Sequence, residues 1–368
     1  MGKFVAAALS SALLFCFLLA QAEATAPESE QIDLFVGGTD GYHTYRIPAL
    51  LTTQKGTVLA FAEARKNSPA DHGDLDLVVK RSTDGGKTWG KMQIIYDRGE
   101  QTVGNPAPVQ DRNTGTIWLP FTIDNEGVYV TTSDDEGATW SAPREITNDV
   151  KPPEWDWYAT GPCHAIQLST GRLVVPCDHT EKGRFHSHVI YSDDGETWKL
   201  GGSSEKFTDE STVIELADGR LMLNMRSNYH NGMRAVALSK DGGESWGKLR
   251  FAKDLTEPVC QGSILRFTDG KNHDKNRILF SNPNSRTRDH MTIKISYDEG
   301  KSWPVAKLIY EGPSGYSDMA ILPDMSIGLI YENGEKKYHE KLTFARLGLE
   351  WLTDGRDGMK NRASGVSR

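Results

Sequence analysis

Residues able to bind an anion or transfer a proton are concentrated in a few short polar segments of this 368-residue chain. Arginine suits a carboxylate ligand, because its planar fork donates two parallel hydrogen bonds and stays charged. The net charge of −8 and the lack of a basic tract argue against a nucleic-acid partner, so a few placed arginines would have to hold an anionic ligand. These segments are YRIP at 45–48, ARKNSPADHGDLDLVV at 64–79, FTDESTVIEL at 207–216, NMRSN at 224–228, SRTRDHMTI at 285–293 and GPSGYSDM at 312–319.

Five repeats indicate the scaffold that must hold these segments. Their tryptophans recur every 48 to 58 residues, and a period of about 50 in a chain rich in short strands is typical of a β-propeller with one four-stranded blade per repeat. In each repeat an alternating apolar strand leads into an Asp-x-Gly turn, where glycine supplies the positive φ. Five repeats and one blade without a repeat predict an all-β, six-bladed propeller. The repeats are STDGGKTW at 82–89, SDDEGATW at 133–140, YSDDGETW at 191–198, SKDGGESW at 239–246 and SYDEGKSW at 296–303.

The two ends of the chain carry their own predictions. Residues 1–24 place Lys3 before an apolar run and finish in small residues, which predicts a secretory signal cleaved after Ala22 or Ala24, with an uncleaved signal-anchor as the alternative. Residues 25–352 would form the propeller, and QIDLFVG at 31–37 is available to complete the sheet of the C-terminal strands. Residues 353–368 are predicted to be a disordered tail.

Cysteines and metals are given no catalytic role. Without Cys16 the chain keeps Cys163, Cys177 and Cys260. Cys163 and Cys177 lie symmetrically about a turn at 169–171, so a disulfide and buried thiols both remain open. The Asp-x-Asp-Gly spacing of the repeats resembles a calcium loop, but no repeat has the bidentate glutamate at the twelfth position. Neither a metal nor another cofactor is expected.

The repeats, taken together with YRIP, resemble the sialidase family. The repeats are similar to that family's Asp-boxes, and YRIP is similar to its Phe/Tyr-Arg-Ile-Pro motif near the start of the mature chain. The resemblance covers about residues 41–332. It implies an exo-α-sialidase that hydrolyses terminal sialic acid from glycoproteins, glycolipids or oligosaccharides with retention of configuration. Asp-boxes alone also occur in binding and assembly propellers, so a non-catalytic propeller is an alternative.

The resemblance implies a group of three arginines that binds the carboxylate attached to the anomeric carbon of sialic acid. The matching residues are Arg46, Arg226 and Arg288. Arg286 competes with Arg288, which is preferred because it directly precedes the strand DHMTIKIS. Further implied residues are Arg65 near the 4-hydroxyl, Glu332 as the partner of Arg46, and Asn105 and Gln261 in the pocket. Asp178 and His179 stand where animal cytosolic relatives tend to have tyrosines, which leaves the contacts to the glycerol tail open.

The catalytic residues implied by the resemblance are Tyr316, Glu210 and Asp71. A carboxylate nucleophile would be repelled by the carboxylate of the substrate, whereas a neutral phenol activated by a neighbouring carboxylate avoids that repulsion. Tyr316 is the expected nucleophile, in a glycine-flanked setting before a strand. Glu210 is the expected base, in competition with Asp209 and Glu215. Asp71 is the expected acid/base, with Asp74 and Asp76 as rivals, and Asp76 is expected on the polar face of its strand.

Three further expectations concern product, partner and location. Transfer to another sugar and release of an anhydro product are alternatives to hydrolysis. The expected partner is a sialylated glycan, with no nucleic acid and no membrane span in the mature chain. The signal predicts a secreted or periplasmic protein, or a lysosomal one in a eukaryote, and the absence of an Asn-x-Ser/Thr sequon favours the bacterial case.

Overall fold

The computed structural model describes residues 29–359, and within them the chain is an all-β propeller of 25 strands and two four-residue helices. Strand β1 (Ser29–Val36) comes first and belongs to the last sheet. The first sheet contains β2 (Thr44–Thr52), β3 (Val58–Arg65), β4 (Leu75–Ser82) and β5 (Gln93–Tyr96). The second contains β6 (Val103–Gly104), β7 (Val109–Gln110), β8 (Ile117–Ile123), β9 (Gly127–Ser133) and β10 (Arg144–Glu145), followed by helix α1 (Thr147–Val150).

The remaining strands continue around the ring. The third sheet contains β11 (Trp155–Thr160), β12 (Ile166–Gln167), β13 (Leu173–Glu181), β14 (Arg184–Ser192) and β15 (Trp198–Ser203). The fourth contains β16 (Thr208–Glu215), β17 (Leu221–Ser227), β18 (Met233–Ser239) and β19 (Arg250–Thr256). The last contains β20 (Ser263–Thr268), β21 (Arg277–Pro283), β22 (Asp289–Ser296), β23 (Val305–Ile321), β24 (Ile327–Asn333), β25 (Lys341–Leu347) and β1, and helix α2 (Leu349–Leu352) ends the fold.

The number of separate sheets differs from the prediction. Hydrogen bonding gives five sheets, with four, five, five, four and seven strands, instead of six sheets of four strands. The cause is β23, whose first half pairs with β22 up to Pro313 and whose second half pairs with β24 from Ser314 onward. The turn-forming residues at 312–315 therefore stay extended and join the two halves. The all-β propeller is confirmed, whereas six separate four-stranded blades are not.

The ring closes by pairing the two ends of the described chain. Strand β1 lies antiparallel to β25, from Ser29 opposite Leu347 to Val36 opposite Lys341. The prediction that the N-terminal segment completes the sheet of the C-terminal strands is confirmed. Closure by hydrogen bonding leaves the first and last strands mutually dependent, because each satisfies main-chain groups of the other.

The Asp-boxes are structural turns. In the first box Asp84 accepts hydrogen bonds from Thr88 N and Thr88 Oγ1 at 2.9 and 2.6 Å, and in the second Asp135 accepts from the corresponding atoms of Thr139. The box tryptophans reach the preceding sheet around the ring: Trp140 lies 5.9 Å from Phe61 between ring centroids. The boxes therefore tie neighbouring sheets together, as the turn interpretation predicts.

A buried carboxylate fastens the inner strands at the centre of the ring. Asp318, on β23, accepts from the main-chain N–H groups of Leu50 and His164, each at 2.9 Å. Its other oxygen accepts from Ser263 Oγ at 2.8 Å and contacts His164 Nδ1 at 2.7 Å. One fully buried side chain thus joins segments of three sheets.

Several smaller predictions are decided by burial and pairing. Cys163, Cys177 and Cys260 are buried free thiols, which excludes the disulfide alternative.

The predicted disordered tail starts too early in the sequence, because Asp357 is buried and accepts hydrogen bonds from Nε and Nη2 of Arg277, each at 2.8 Å. The predicted signal at 1–24 and the tail residues 360–368 lie outside the described part of the chain. No helix within residues 29–359 has the length and apolar character needed to cross a membrane.

Candidate active site

Three irregular strand segments bring the predicted catalytic residues to one end of the propeller. The pairing register shifts between Arg46 and Ala49 on β2, between Thr208 and Ser211 on β16, and between Ser314 and Ser317 on β23. Arg46, Glu210 and Tyr316 lie in or at these shifts. A bulge re-aims side chains that a regular pleat would place elsewhere. Tyr316 thus lies inside a long strand, and the prediction of a position before a strand is wrong.

Tyr316 is joined to Glu210 and Arg226. Its phenol OH donates a short hydrogen bond to Oε1 of Glu210, and Nη1 of Arg226 lies 2.8 Å from Oε2 of Glu210 and 3.2 Å from the phenol oxygen. Only 6% of Tyr316 is exposed. Burial, and then the charge of Glu210, raise the pKa of Tyr316 well above its ordinary value. The phenol is therefore neutral, with its proton directed at a carboxylate.

The two other predicted arginines lie over the same ring. The guanidinium carbons of Arg46 and Arg288 are 5.1 and 5.5 Å from the ring centroid of Tyr316. Tyr338 contacts both, at 5.4 and 4.9 Å. Sequence reasoning missed Tyr338, which lies in a polar turn with no spacing signal. Arg286, the rival of Arg288, is exposed and donates to the carbonyl of Asn231.

Glu332 binds the Arg46 side chain and one main-chain N–H group on each side of the site. Its fully buried carboxylate accepts from Arg46 Nε at 3.0 Å, from Ile47 N at 3.2 Å and from Tyr316 N at 3.1 Å. Ile47 has a φ of 55°, a costly conformation for a β-branched residue. The hydrogen bond to Glu332 helps to keep Ile47 in this conformation, which turns the Arg46 side chain towards Tyr316.

Asp71 lies in the loop after β3, beside two arginines. Its Oδ1 accepts from Nη1 of Arg46 at 2.8 Å and from Nη1 of Arg65 at 2.7 Å, although 76% of the Asp71 side chain is exposed. Partial desolvation favours the neutral acid, but the charges of Arg46 and Arg65 outweigh it and lower the pKa of Asp71. Arg65 is anchored in turn by Glu63 at 2.6 Å.

The rivals of Asp71 have different partners. Asp74 and Asp76 lie 2.8 and 3.3 Å from Nζ of Lys66. Asp76 is fully buried and accepts from Tyr42 OH, so its predicted place on a polar strand face is wrong. With Asp97 they form the only group of three or more potential metal ligands in residues 29–359, and Lys66 Nζ already supplies a positive charge there.

The remaining predicted pocket residues are anchored to the scaffold. Asn105 donates through Nδ2 to Thr122 Oγ1 at 3.0 Å, with its own N–H bound to Glu63. Gln261 is fully buried and exchanges two 3.0 Å hydrogen bonds with the main chain of Ser317. Gln261 therefore fixes the residue that follows Tyr316, and the structure does not bring its amide to the arginine group.

The two rivals of Glu210 are separated from Tyr316. Asp209 is buried behind Arg226, with Oδ2 3.5 Å from Arg226 Nε, and Oδ1 accepts from the N–H of Glu210 at 3.0 Å. Glu215 instead binds Ser169 at the far end of β16. The structure thus gathers Arg46, Arg226, Arg288, Glu210, Tyr316, Glu332, Arg65 and Asp71 into one connected group.

Comparison with known proteins finds relatives for most of this chain. The family model described as a BNR repeat-like domain matches residues 56–331. The chain is 36% identical over 354 residues to a sialidase of Micromonospora viridifaciens, across 87% of this chain and 54% of that protein. It is 36% identical over 333 residues to a sialidase of Bacteroides fragilis, across 80% of this chain and 61% of that protein. The chain therefore spans 54% and 61% of the length of these two relatives.

A solved structure gives the same assignment. A Hadza microbial sialidase superposes with a TM-score of 0.81 at 32% identity, covering 87% of this chain and 68% of that chain. The family model spans more than half of the chain, and the sequence match and the fold match name the same kind of protein. The chain belongs to the sialidase family of BNR-repeat proteins.

Proposed function

We propose that the chain is an exo-α-sialidase that hydrolyses terminal α-linked sialic acid from glycans with retention of configuration. One observation carries the proposal: the neutral phenol of Tyr316 donates to Glu210 while three arginines surround it. Sialidases with a tyrosine nucleophile are a recognised exception to glycosidases that use two carboxylates. A non-catalytic propeller has no need of this arrangement.

The arginines supply the binding energy and orientation. Arg46, Arg226 and Arg288 present guanidinium groups around Tyr316, which suits a carboxylate attached to the reacting carbon. With that carboxylate held, the anomeric carbon lies near the phenol oxygen. Restricting the reactants to this geometry lowers the entropic part of the barrier.

The chemical steps follow from the hydrogen bonds of Tyr316. As the phenol oxygen bonds to the anomeric carbon, its proton passes to Glu210, and the glycosidic oxygen leaves with a proton from Asp71. Water then attacks the same carbon, giving its proton to Asp71, while the phenol oxygen departs and recovers its proton from Glu210. Two displacements at one carbon retain the configuration.

Asp71 must be neutral for the first step, yet its present partners favour the anion. Arg46 and Arg65 both donate to Oδ1 of Asp71. A substrate carboxylate on Arg46 competes for Nη1, so substrate binding weakens this ion pair and raises the pKa of Asp71. The loop that carries Asp71 then has an acid available for the leaving oxygen.

The test is release of sialic acid from a fluorogenic sialoside and from a sialylated oligosaccharide. Product analysis by mass spectrometry and NMR separates free sialic acid from an anhydro sugar or a transfer product. Free sialic acid appearing first as the α-anomer supports the proposal. An anhydro sugar or a transfer product in place of free sialic acid, or no release from either substrate, contradicts it.

Two further proposals accompany this function. We count the seven-stranded sheet as two blades joined along β23, which gives the six blades that the repeats predict.

We also propose that residues 1–24 direct export of the chain, giving a secreted or periplasmic enzyme with sialylated glycans as its partners. The test is N-terminal sequencing of the exported protein.

A further inference from the structure

A buried carboxyl group lies next to the site without any partner of the usual kind. Asp178, on β13, is fully buried, and neither of its carboxyl oxygens has a hydrogen-bond donor among residues 29–359. It stands opposite Ser187 in the β13–β14 pair, and the Ser187 hydroxyl donates to the main-chain carbonyl of Asp209. Asp178 thus adjoins the strand that carries Asp209 and Glu210.

The surroundings of Asp178 disfavour an ionised carboxylate, because the side chain is fully buried and no donor contacts its oxygens within residues 29–359. Burial, and then the charges of Asp209 and Glu210, raise the pKa of Asp178 well above its ordinary value. The next residue along the strand offers no compensating charge, because burial lowers the pKa of His179 to about 3 and its ring is stacked on Trp155. The charge of Arg226 lowers the pKa of Asp178, but burial and the two neighbouring carboxylates outweigh it, and a buried carboxylate without hydrogen-bond donors is strongly disfavoured.

The contacts of the two Asp209 carboxylate oxygens show why this group would accept a hydrogen bond from a protonated Asp178. Oδ1 of Asp209 accepts from the N–H of Glu210 at 3.0 Å, and Oδ2 accepts from Asn228 Nδ2 at 3.0 Å and faces Arg226 Nε at 3.5 Å. The Ser187 hydroxyl, cross-strand from Asp178, donates to the main-chain carbonyl of Asp209, and the Asp209 carboxylate is near enough to raise the pKa of Asp178. The pairing to test is therefore a hydrogen bond between these two neighbouring carboxyl groups. Two carboxyl groups can form that bond only when one of them is protonated.

We propose that Asp178 is a neutral carboxylic acid that donates its proton to Asp209, and that this bond positions Arg226 and the main chain of Glu210. Asp178 is a positioning residue, since it reaches the reacting groups only through Asp209. The positioning role rests on the proposed sialidase function.

The shared proton reduces the negative charge next to Arg226. Ionised Asp178, Asp209 and Glu210 would set three negative charges against Arg226, whose guanidinium contacts both Asp209 and Glu210. The proton removes one of these charges and converts a repulsive pair into a hydrogen bond. Arg226 can then bind Glu210 and Tyr316 and also form an ion pair with a substrate carboxylate.

The kinetic test compares Asp178→Asn with Asp178→Leu. The asparagine amide can still donate to Asp209, so kcat/KM should stay within about threefold of wild type, whereas leucine cannot donate and kcat/KM should fall about tenfold or more. Asp76→Asn is the matched control, a fully buried carboxyl in the first sheet with different partners. Wild-type activity in Asp178→Leu, or an equal loss in a folded Asp178→Asn, overturns the proposal.

A spectroscopic test does not depend on activity or on the leucine variant. The infrared difference spectrum of wild type minus Asp178→Asn at neutral pH should contain the C=O stretch of a protonated carboxyl, shifted on exchange into D₂O. Absence of that band would overturn the proposal that Asp178 and Asp209 share a proton, whichever reaction the protein catalyses. If the band is present and wild type releases no sialic acid, the proposed function fails while the neutral acid stands.

Discussion

The N–H of Tyr316 donates to Oε2 of Glu332 at 3.1 Å, and the same carboxylate holds Arg46 through Oε1. The position of the Tyr316 main chain is thus set independently of its phenol OH, which points instead at Glu210. Removing the hydroxyl oxygen should therefore leave the ring and the arginines in place. Because this main-chain anchor is separate from the phenol oxygen, the proposed nucleophile can be tested by removing a single atom.

Tyr316→Phe should lower kcat by several orders of magnitude, because the oxygen that attacks the anomeric carbon is gone. The free energy of unfolding should change by only about 1–2 kcal/mol, the scale of one hydrogen bond. Tyr310→Phe is the control, since Tyr310 lies on the same strand and donates to the carbonyl of Gly334. A fluorinated sialosyl fluoride should label wild type on the peptide containing Tyr316. Near-normal turnover in Tyr316→Phe refutes the assignment.

Asp71→Ala should impair substrates with poor leaving groups far more than activated aryl sialosides, because an activated phenol departs with little protonation. The ratio of the two losses in kcat is the measurement. Asp74→Ala, which removes a partner of Lys66 in the same loop region, should leave that ratio unchanged. Equal losses on both substrates for Asp71→Ala would mean that the side chain has a structural role.

Arg46→Lys should weaken binding of a planar sialic acid analogue about tenfold or more, since a lysine keeps the charge but loses the two-pronged hydrogen bond. Titration calorimetry gives the dissociation constant directly. Arg286→Lys is the matched control, because Arg286 is exposed and donates to the main-chain carbonyl of Asn231. Unchanged affinity in Arg46→Lys would require a different residue to bind the carboxylate.

The three thiols of residues 29–359 should be unreactive in the folded protein. Burial raises the pKa of the Cys260 thiol to about 11 and raises those of Cys163 and Cys177 further. Because the thiolate is the reactive form, iodoacetamide should modify none of them at pH 7.5 and all of them after denaturation. Rapid alkylation of native protein at Cys163 or Cys177 would show that the β13 region opens readily.

Acid should weaken the Asp-box turns. Hydrogen bonds from Thr139 lower the pKa of Asp135 to about 2, and donation by Ser245 outweighs partial burial and lowers the pKa of Asp241 to about 2. An aspartate with a depressed folded-state pKa stabilises the protein above its unfolded value of about 3.9 and loses that contribution as the pH falls to about 2. Urea unfolding between these pH values should show the loss, and it should be smaller in the variant combining Asp135→Asn and Asp241→Asn. An identical pH dependence in that variant contradicts this account.

The sequence predicts the propeller and most of the site, because both depend on local patterns. The Asp-x-Gly repeats form their turns through contacts within a few residues, and YRIP places Arg46 directly on an inner strand. The continuity of β23 was not predictable from its turn-forming residues at 312–315, since pairing with two partner strands overrides local preference. The free thiols follow from the pairing of Cys177 with Thr160 and His188, which no spacing rule reveals.

Residues that act through the scaffold were the hardest to predict. Gln261 differs from a pocket residue only in what its amide contacts, which is the main chain of Ser317, and Asp178 is distinguished only by being fully buried without a hydrogen-bond donor in residues 29–359. Tyr338 is brought beside Arg46 by the turn between β24 and β25. Motif matching finds residues that touch a substrate, but the partners that hold those residues appear only in three dimensions.

Arg46 and Glu332 are 286 positions apart in the chain, and β1 is paired only when β25 exists. During synthesis from the N-terminus, the guanidinium of Arg46 is made long before the carboxylate that will neutralise it. The ring cannot close, and the arginine group cannot form, until nearly the whole described chain has emerged. The arginine group therefore has no partial precursor: a chain that ends before Glu332 lacks the carboxylate that binds both Arg46 and the main chain of Tyr316.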